Sequence, residues 1–241
     1  MSLTTPLAHA PTVGAASPGL TLMRAFAAAS ALCVAAMVLL SWQTGLNVQH
    51  FERVSSPETW AAELLAHAQA LRWLTVIDDA FVACYVAASV LLVRALRERA
   101  PSGAVIYALG PWVVSAAALV GVLDLTENHH VLSLLHAVEH GQTLGLEALF
   151  QREGVSSVKW MVGHVAFCML GVALWFDTVA WRALRGALIG LQLPVGAAAL
   201  AFAGSPLGEA LGWLKLFNVS LGFLALATLP WPRAAGSGEQ A

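Results

Sequence analysis

The dominant pattern in this 241-residue chain is a series of long apolar stretches separated by short polar segments. A helix needs about 20 mostly apolar residues to cross a hydrocarbon core about 30 Å thick. Six stretches reach that length: Leu22–Trp42, Leu71–Leu96, Ala104–Leu125, Val158–Trp181, Ala183–Ala203 and Leu207–Leu229. The pattern therefore predicts an all-α polytopic membrane protein, a bundle of six transmembrane helices with short amphipathic interfacial helices in its outer loops.

The segments around these stretches carry their own helix signals. Ser56-Pro57-Glu58 supplies a capping hydroxyl, a proline at the first helical position and an acid in the first turn. This predicts a short helix over Pro57–Ala70, with Trp60, Leu64 and Leu71 resting on the membrane surface. Ser205-Pro206 repeats the capping pattern, and Pro111 and Pro194 should kink the third and fifth spans. Tryptophans at the predicted interfaces should anchor the spans: Trp42, Trp60, Trp73, Trp160, Trp181 and Trp231.

Charge in the short loops predicts the orientation. Arginine in short loops marks the cytoplasmic side of a membrane protein. The loops of one parity, with the two chain ends, hold most of the arginines: Arg24, Arg94, Arg97, Arg99, Arg182, Arg185 and Arg233. Both termini are therefore predicted to be cytoplasmic. Because alanine is abundant and arginine greatly exceeds lysine, we expect a bacterial inner-membrane protein.

Composition limits the classes of function. Hydrophobic residues make up 59% of the chain and charged residues 11%, against about 25% charged in a soluble domain. The net charge of −2 gives no basic field for nucleic acid, so the expected partner is the lipid bilayer. Residues 22–230 should form one transmembrane domain between disordered cytoplasmic tails, residues 1–21 and 231–241. Cys33, Cys84 and Cys168 have no C-x-x-C spacing, and we assign them no redox role.

Ionisable side chains inside the apolar stretches are the candidate functional residues. Counted from the outer ends of the spans, they share one depth in four helices: Asp78, Asp79, Asp124, Glu127, Lys159, His164 and Lys215. The Asn128 amide, next to Glu127, is counted with this polar cluster. Such groups are costly in a membrane, face the bundle interior and pair with one another. One interpretation is a polar pocket open to the outside, with carboxylates as proton or cation sites. The other is an ion-pair network that only fixes helix register. Adjacent Asp78 and Asp79 point about 100° apart, so only one of them can occupy the centre.

The histidines after the third stretch form a second candidate group. His129, His136 and His140 fall within about 40° on a helical wheel, which predicts an amphipathic helix on the outer leaflet with histidines facing water. His136-x-x-x-His140 also has a spacing compatible with a shared zinc ion, with His164 as the third candidate ligand. Histidines that simply face water as a polar helix surface need no metal. Under this main interpretation the protein has no cofactor.

Three short motifs resemble a pattern in uncharacterised multi-pass bacterial membrane proteins. They are Asp78-x-x-Phe81-x-x-x-Tyr85, Asp124-x-x-Glu127-Asn128 and Lys159-Trp160, spread over the second to fourth stretches. The resemblance implies a multi-pass membrane fold in which Asp78, Asp124, Glu127, Asn128 and Lys159 act together. It assigns no activity. The sequence departs from the pattern after Asn128, where His129 and His130 replace aliphatic residues.

Two functional hypotheses follow from these residues. The first is a non-enzymatic membrane protein, either a structural or accessory component or a small transporter, with an outer-side cluster of carboxylates and lysines. The second is a metal-dependent intramembrane hydrolase acting on a lipid. It would use His136, His140 and His164 with Asp124 or Glu127 as the acid.

Overall fold

The computed structural model describes residues 18–46 and 51–231, and every regular element in that part of the chain except short turns is helical. The helices are α1 (Pro18–Thr44), α2 (Pro57–Ala66), α3 (Ala68–Arg99), α4 (Ile106–Glu139), α5 (Leu146–Ala173), α6 (Val179–Ala187), α7 (Leu193–Ala201) and α8 (Pro206–Thr228). A π-helical turn, Leu188–Gln192, joins α6 to α7. The predicted tails lie almost wholly outside the described residues, although α1 already begins at Pro18.

Six helical units are long and apolar enough to cross a membrane: α1, α3, α4, α5, the continuous unit Val179–Ala201 and α8. Their outward faces carry large apolar side chains. Leu32, Trp112 and Val179, for example, are 69%, 67% and 75% exposed. An apolar surface of this kind belongs against lipid. The chain is therefore an integral membrane protein, and the predicted six-helix bundle is confirmed.

The six units form a closed ring. In order around it, α1 packs against α3, α3 against α4, α4 against α5, α5 against α7, α7 against α8, and α8 against α1. We call the end with the α1–α2, α4–α5 and α7–α8 connections the acidic end, and the opposite end the basic end. Apolar cores fill both ends of the ring. The embedded charges lie between these cores.

The basic end ties the last residues of α8 to the rest of the bundle. The Nη2 atom of Arg24 donates a hydrogen bond of 2.8 Å to the carbonyl of Leu229. The indole nitrogen of Trp181 donates one of 3.0 Å to the carbonyl of Pro230. Trp181 is completely buried, so it does not anchor a span at the membrane interface as predicted.

The fourth predicted span is displaced along the chain. It was expected at Val158–Trp181, but α5 ends at Ala173 and residues 174–178 form a turn before α6. The turn is apolar, and its Leu174 and Phe176 side chains are buried in the core. The apolar stretch of sequence therefore continues through a turn at which the chain reverses direction, so hydropathy alone does not show where α5 ends.

The third predicted span is shorter than the helix that contains it. Helix α4 runs for 34 residues without a break, so the histidine segment is its last part and not a separate interfacial helix. No proline or glycine interrupts the chain between Leu125 and Glu139. The helix ends beside Gly141, whose φ of 75° is readily adopted only by glycine.

The predicted helix cap at Ser56 is confirmed, but the position of the helix differs from expectation. The Ser56 hydroxyl accepts a hydrogen bond of 3.1 Å from the Thr59 backbone nitrogen, and α2 ends at Ala66. Trp60 and Leu64 are 0% exposed and pack with Leu71 in the apolar core of the acidic end. These side chains therefore do not rest on the membrane surface. Instead, α2 covers the acidic end of the bundle beside α4.

The prolines act as their backbone chemistry requires. Pro194 is the second residue of α7 and has no N–H to donate to the carbonyl four residues before it, which lies in the π-helical turn Leu188–Gln192. Pro111 lies inside α4, and the helix continues through it. The predicted cap of α8 is confirmed, because Ser205 accepts a hydrogen bond of 3.1 Å from the Gly208 nitrogen.

Candidate functional site

The centre of the candidate site is a buried triad of charges between α4 and α5. The Lys159 Nζ atom lies 3.0 Å from an Asp124 carboxylate oxygen and 2.5 Å from a Glu127 oxygen. Asp124 and Glu127 are three residues apart on α4 and therefore share a face. All three side chains are buried. The predicted pairing of embedded carboxylates with Lys159 is thus present.

Arg152 extends this group toward the acidic end, and the sequence reasoning missed it. Its Nη2 atom lies 3.0 Å from a Glu127 carboxylate oxygen, and its Nη1 donates to the Glu127 carbonyl at 3.0 Å. Its Nε donates to the Phe51 carbonyl at 2.8 Å. Arg152 lies seven residues before Lys159, two helical turns away, and so faces the same side of α5. This spacing was the available signal, but the predicted span began only at Val158.

Lys215 on α8 has a different partner from those expected. Its Nζ lies 3.6 Å from a Glu52 carboxylate oxygen and 3.3 Å from the centre of the Trp160 ring, a cation–π arrangement. Trp160 in turn donates its indole hydrogen to Glu52 at 3.3 Å. Burial by itself would raise the pKa of Glu52, but Lys215 and Lys159 hold it below its ordinary value. No pattern in the sequence singled out Glu52, which lies in the connection between α1 and α2.

We call these six residues the ion cluster: Glu52, Asp124, Glu127, Arg152, Lys159 and Lys215. The cluster has three carboxylates and three cations, so its formal charge is zero. Each member lies within 4.0 Å of an opposite charge. Tyr85 adds a hydrogen bond of 2.8 Å from its hydroxyl to the second oxygen of Asp124.

The two adjacent aspartates lie in different surroundings. Asp79 is 31% exposed, accepts a hydrogen bond of 2.9 Å from the Asn128 side chain and lies 3.6 Å from the His129 ring. Asp78 is half-buried and points into the space enclosed by the ring of helices. Of the cationic side chains in the described ranges, none lies within 4.0 Å of its carboxylate. Only one of the two aspartates occupies the centre, and it is Asp78.

The ring encloses a central cavity of about 220 Å³. It lies among α1, α3, α4, α5 and α8, and its surface is mainly apolar. Its apolar walls include Val34, Met37, Phe81, Val113, Val120, Phe167, Leu170, Trp213, Leu216, Val219 and Phe223. Asp78 and Tyr85 line it together with members of the ion cluster. The cavity is therefore a mainly apolar chamber with charged side chains along one part of its wall.

The three histidines proposed as zinc ligands are not brought together. The rings of His136 and His140 contact each other at a tilt at the exposed end of α4, with ring centres 4.1 Å apart. His164 is buried on α5, where it stacks on Trp160 and lies against Gly196 of α7. In residues 18–46 and 51–231, no group of three or more histidine, cysteine or acidic side chains is arranged to hold a metal ion. The geometry therefore corrects the predicted set, because His164 packs in a different part of the bundle.

In comparisons with known proteins, no family model, no curated protein and no solved structure matches the chain.

Proposed function

We propose that the protein is a small membrane transporter for a compact, mostly apolar molecule that carries one positive charge, with Asp78 as the group that binds the charge. The observation that supports this most directly is an acid in the central cavity without an ion-pair partner in the described part of the chain.

Charge balance distinguishes Asp78 from the other embedded acids. Every carboxylate of the ion cluster has a cation at ion-pair distance, and every cation of the cluster is already engaged. In this proposal the cluster is structural, because it links α4, α5 and α8 to the α1–α2 connection. Asp78 is left as a fourth carboxylate facing apolar walls, an arrangement that favours a cationic ligand.

The size and surface of the central cavity define the rest of the ligand. An engineered apolar cavity of about 150 Å³ accepts benzene, so a chamber of about 220 Å³ has room for one ring with a small charged substituent. The apolar walls would hold the ring, and Asp78 would hold the charge. Phe81 and Phe223, whose rings meet edge to face with centres 5.9 Å apart, offer an aromatic surface for it.

We further propose that the basic end is cytoplasmic and that the acidic end faces outward from a bacterial inner membrane. The clustering of arginines at one end supports this orientation. The alternative of a metal-dependent lipid hydrolase receives no support from the geometry, since His164 lies apart from His136 and His140.

The test is equilibrium binding of benzyltrimethylammonium to the purified protein in detergent. This probe has one ring and a permanent charge, and neopentylbenzene is its neutral carbon analogue. We expect saturable binding of the cation, weaker binding of the neutral analogue, and a loss of affinity of at least about tenfold in Asp78→Asn. The matched control is Asp79→Asn, which should bind within about twofold of the parent protein. Absence of saturable binding, or equal losses in the two variants, would overturn the proposal.

A further inference from the structure

We propose that the protein exchanges a proton for its cationic ligand at the Asp78 carboxylate. This proposal rests on the proposed function and follows from the position of Asp78 in the cavity. Binding of the cation would release the proton, and loss of the cation would allow the proton to return.

The charged groups around Asp78 leave it no other means of neutralisation. On its own helix, the Tyr85 hydroxyl is committed to Asp124. On α4, Asp124, Glu127 and the Asn128 amide lie close enough to interact electrostatically with the Asp78 carboxyl group. On α5, Arg152 and Lys159 do the same. Helix α1 contributes only the Cys33 thiol. The α8 side chains that line the cavity are uncharged: Trp213, Leu216, Val219 and Phe223.

The cations nearest to Asp78 are already held by other acids. Lys159 has two carboxylates at 3.0 and 2.5 Å, and Arg152 has one at 3.0 Å. Moving Lys159 toward Asp78 would leave Asp124 without a cation, and moving Arg152 would leave Asp124 and Glu127 to share Lys159 alone. Either movement would transfer the electrostatic cost to another buried acid. An isolated carboxylate in a nonpolar chamber is neutralised by a bound proton or by a cation. One carboxylate cannot hold both at once, and the two therefore compete.

The exchange balances in charge and atoms. A protonated Asp78 carboxyl meets the cation, its O–H bond breaks, the proton leaves to solvent, and the carboxylate retains the electron pair as the partner of the cation. The site is neutral before and after the step.

The experiment is isothermal titration calorimetry of benzyltrimethylammonium, which does not itself titrate, at several values between pH 5 and pH 9. Each measurement is made in two buffers that hold the chosen pH and differ in ionisation enthalpy, such as phosphate and Tris near neutral pH. The dependence of the apparent enthalpy on the buffer gives the number of protons released. We expect up to one proton per bound cation, approaching one toward low pH. Over that range the affinity should rise about tenfold per pH unit and then level off.

The variants separate the possible outcomes. Asp78→Glu should still release protons on binding, although the midpoint of the pH dependence of that release should move. Asp78→Asn should release no protons, even if it retains some binding of the cation. Asp79→Asn should release as many protons as the parent protein. Saturable binding with no proton release at any pH would overturn the exchange but leave the proposed function intact. Abolished release in Asp79→Asn would also overturn it. No saturable binding at all would overturn the proposed function itself.

Discussion

Replacement of Lys159 by methionine should destabilise the bundle severely, because two buried carboxylates share this one cation. Coulomb's law with an effective dielectric constant of about 20 gives attractions of about 5.5 and 6.6 kcal/mol at the observed separations of 3.0 and 2.5 Å. Desolvation of the three ions offsets much of this attraction. The net stabilisation that the triad gives is therefore small compared with the stability lost when one of its members is removed.

Methionine retains most of the lysine volume but removes the charge, so Asp124 and Glu127 would face each other without their shared cation. Removing one partner of a buried ion pair costs about 3–5 kcal/mol. At about 2–4 °C per kcal/mol for a chain of this size, the melting temperature should fall by roughly 6–20 °C.

The assay is thermal unfolding in detergent, followed with a thiol-reactive dye. It suits this protein because Cys33, Cys84 and Cys168 are free thiols in membrane-spanning helices. Detergent and protein shield these thiols in the folded state, and unfolding makes them reactive. The matched control is Arg94→Met, which breaks an exposed pair with Glu98 at 2.8 Å and should cost no more than about 1 kcal/mol.

A double variant tests the cause of the loss. In Lys159→Met, Glu127 keeps Arg152 as a partner and Asp124 loses its cation. Adding Asp124→Asn removes that uncompensated charge while leaving an oxygen to accept from Tyr85. The double variant should therefore melt above Lys159→Met alone. A melting temperature lower than that of the single variant, or a single-variant shift as small as that of Arg94→Met, would refute the electrostatic reasoning.

Two further outcomes are expected. In Gly196→Ala the added methyl would overlap the His164 ring, and we expect a cost of about 1–3 kcal/mol in the same melting assay. Gly186→Ala in α6, with open space around the new methyl, should leave stability unchanged or raise it by up to about 1 kcal/mol. Equal losses in the two variants would contradict this packing argument. Because the pKa of Glu52 is held below its ordinary value of 4.5, its contribution to stability is present at neutral pH and is lost as the pH falls below that value. Glu52→Gln should therefore show a shallower loss of melting temperature between pH 5 and pH 3, and a slope identical to that of the parent protein would argue against it.

The parts of the site that were predictable are those imposed by the membrane itself. Asp124, Glu127 and Lys159 lie within or at the ends of apolar stretches, and ions in such positions must find partners. Their depth followed from counting along each span. The sequence reasoning missed Glu52 and Arg152 because both lie before predicted apolar stretches, in segments that were expected to be in water. A charged side chain in such a segment is solvated and needs no partner. Only the tertiary structure shows that Phe51 and Glu52 lie against α5 and α8.

The histidines show the opposite error. The spacing of His136 and His140 correctly predicts that they are neighbours, since residues four apart on a helix share a face. The position of His164 relative to them depends on which helices are adjacent. Its site against Gly196 is possible because that residue has no side chain, and a single glycine in an apolar run does not reveal its contact.

The closed ring constrains the order in which the protein can mature during synthesis. The α4–α5 hairpin carries Asp124, Glu127 and Lys159, so these charges can meet soon after both helices enter the bilayer. Of the described helices, α8 leaves the ribosome last, yet it supplies one wall of the central cavity and brings Lys215 to Glu52. Until α8 arrives, the cavity lacks that wall and Glu52 lacks Lys215. The nascent chain therefore forms the α4–α5 ion pairs early and completes the central cavity only after α8 has been inserted.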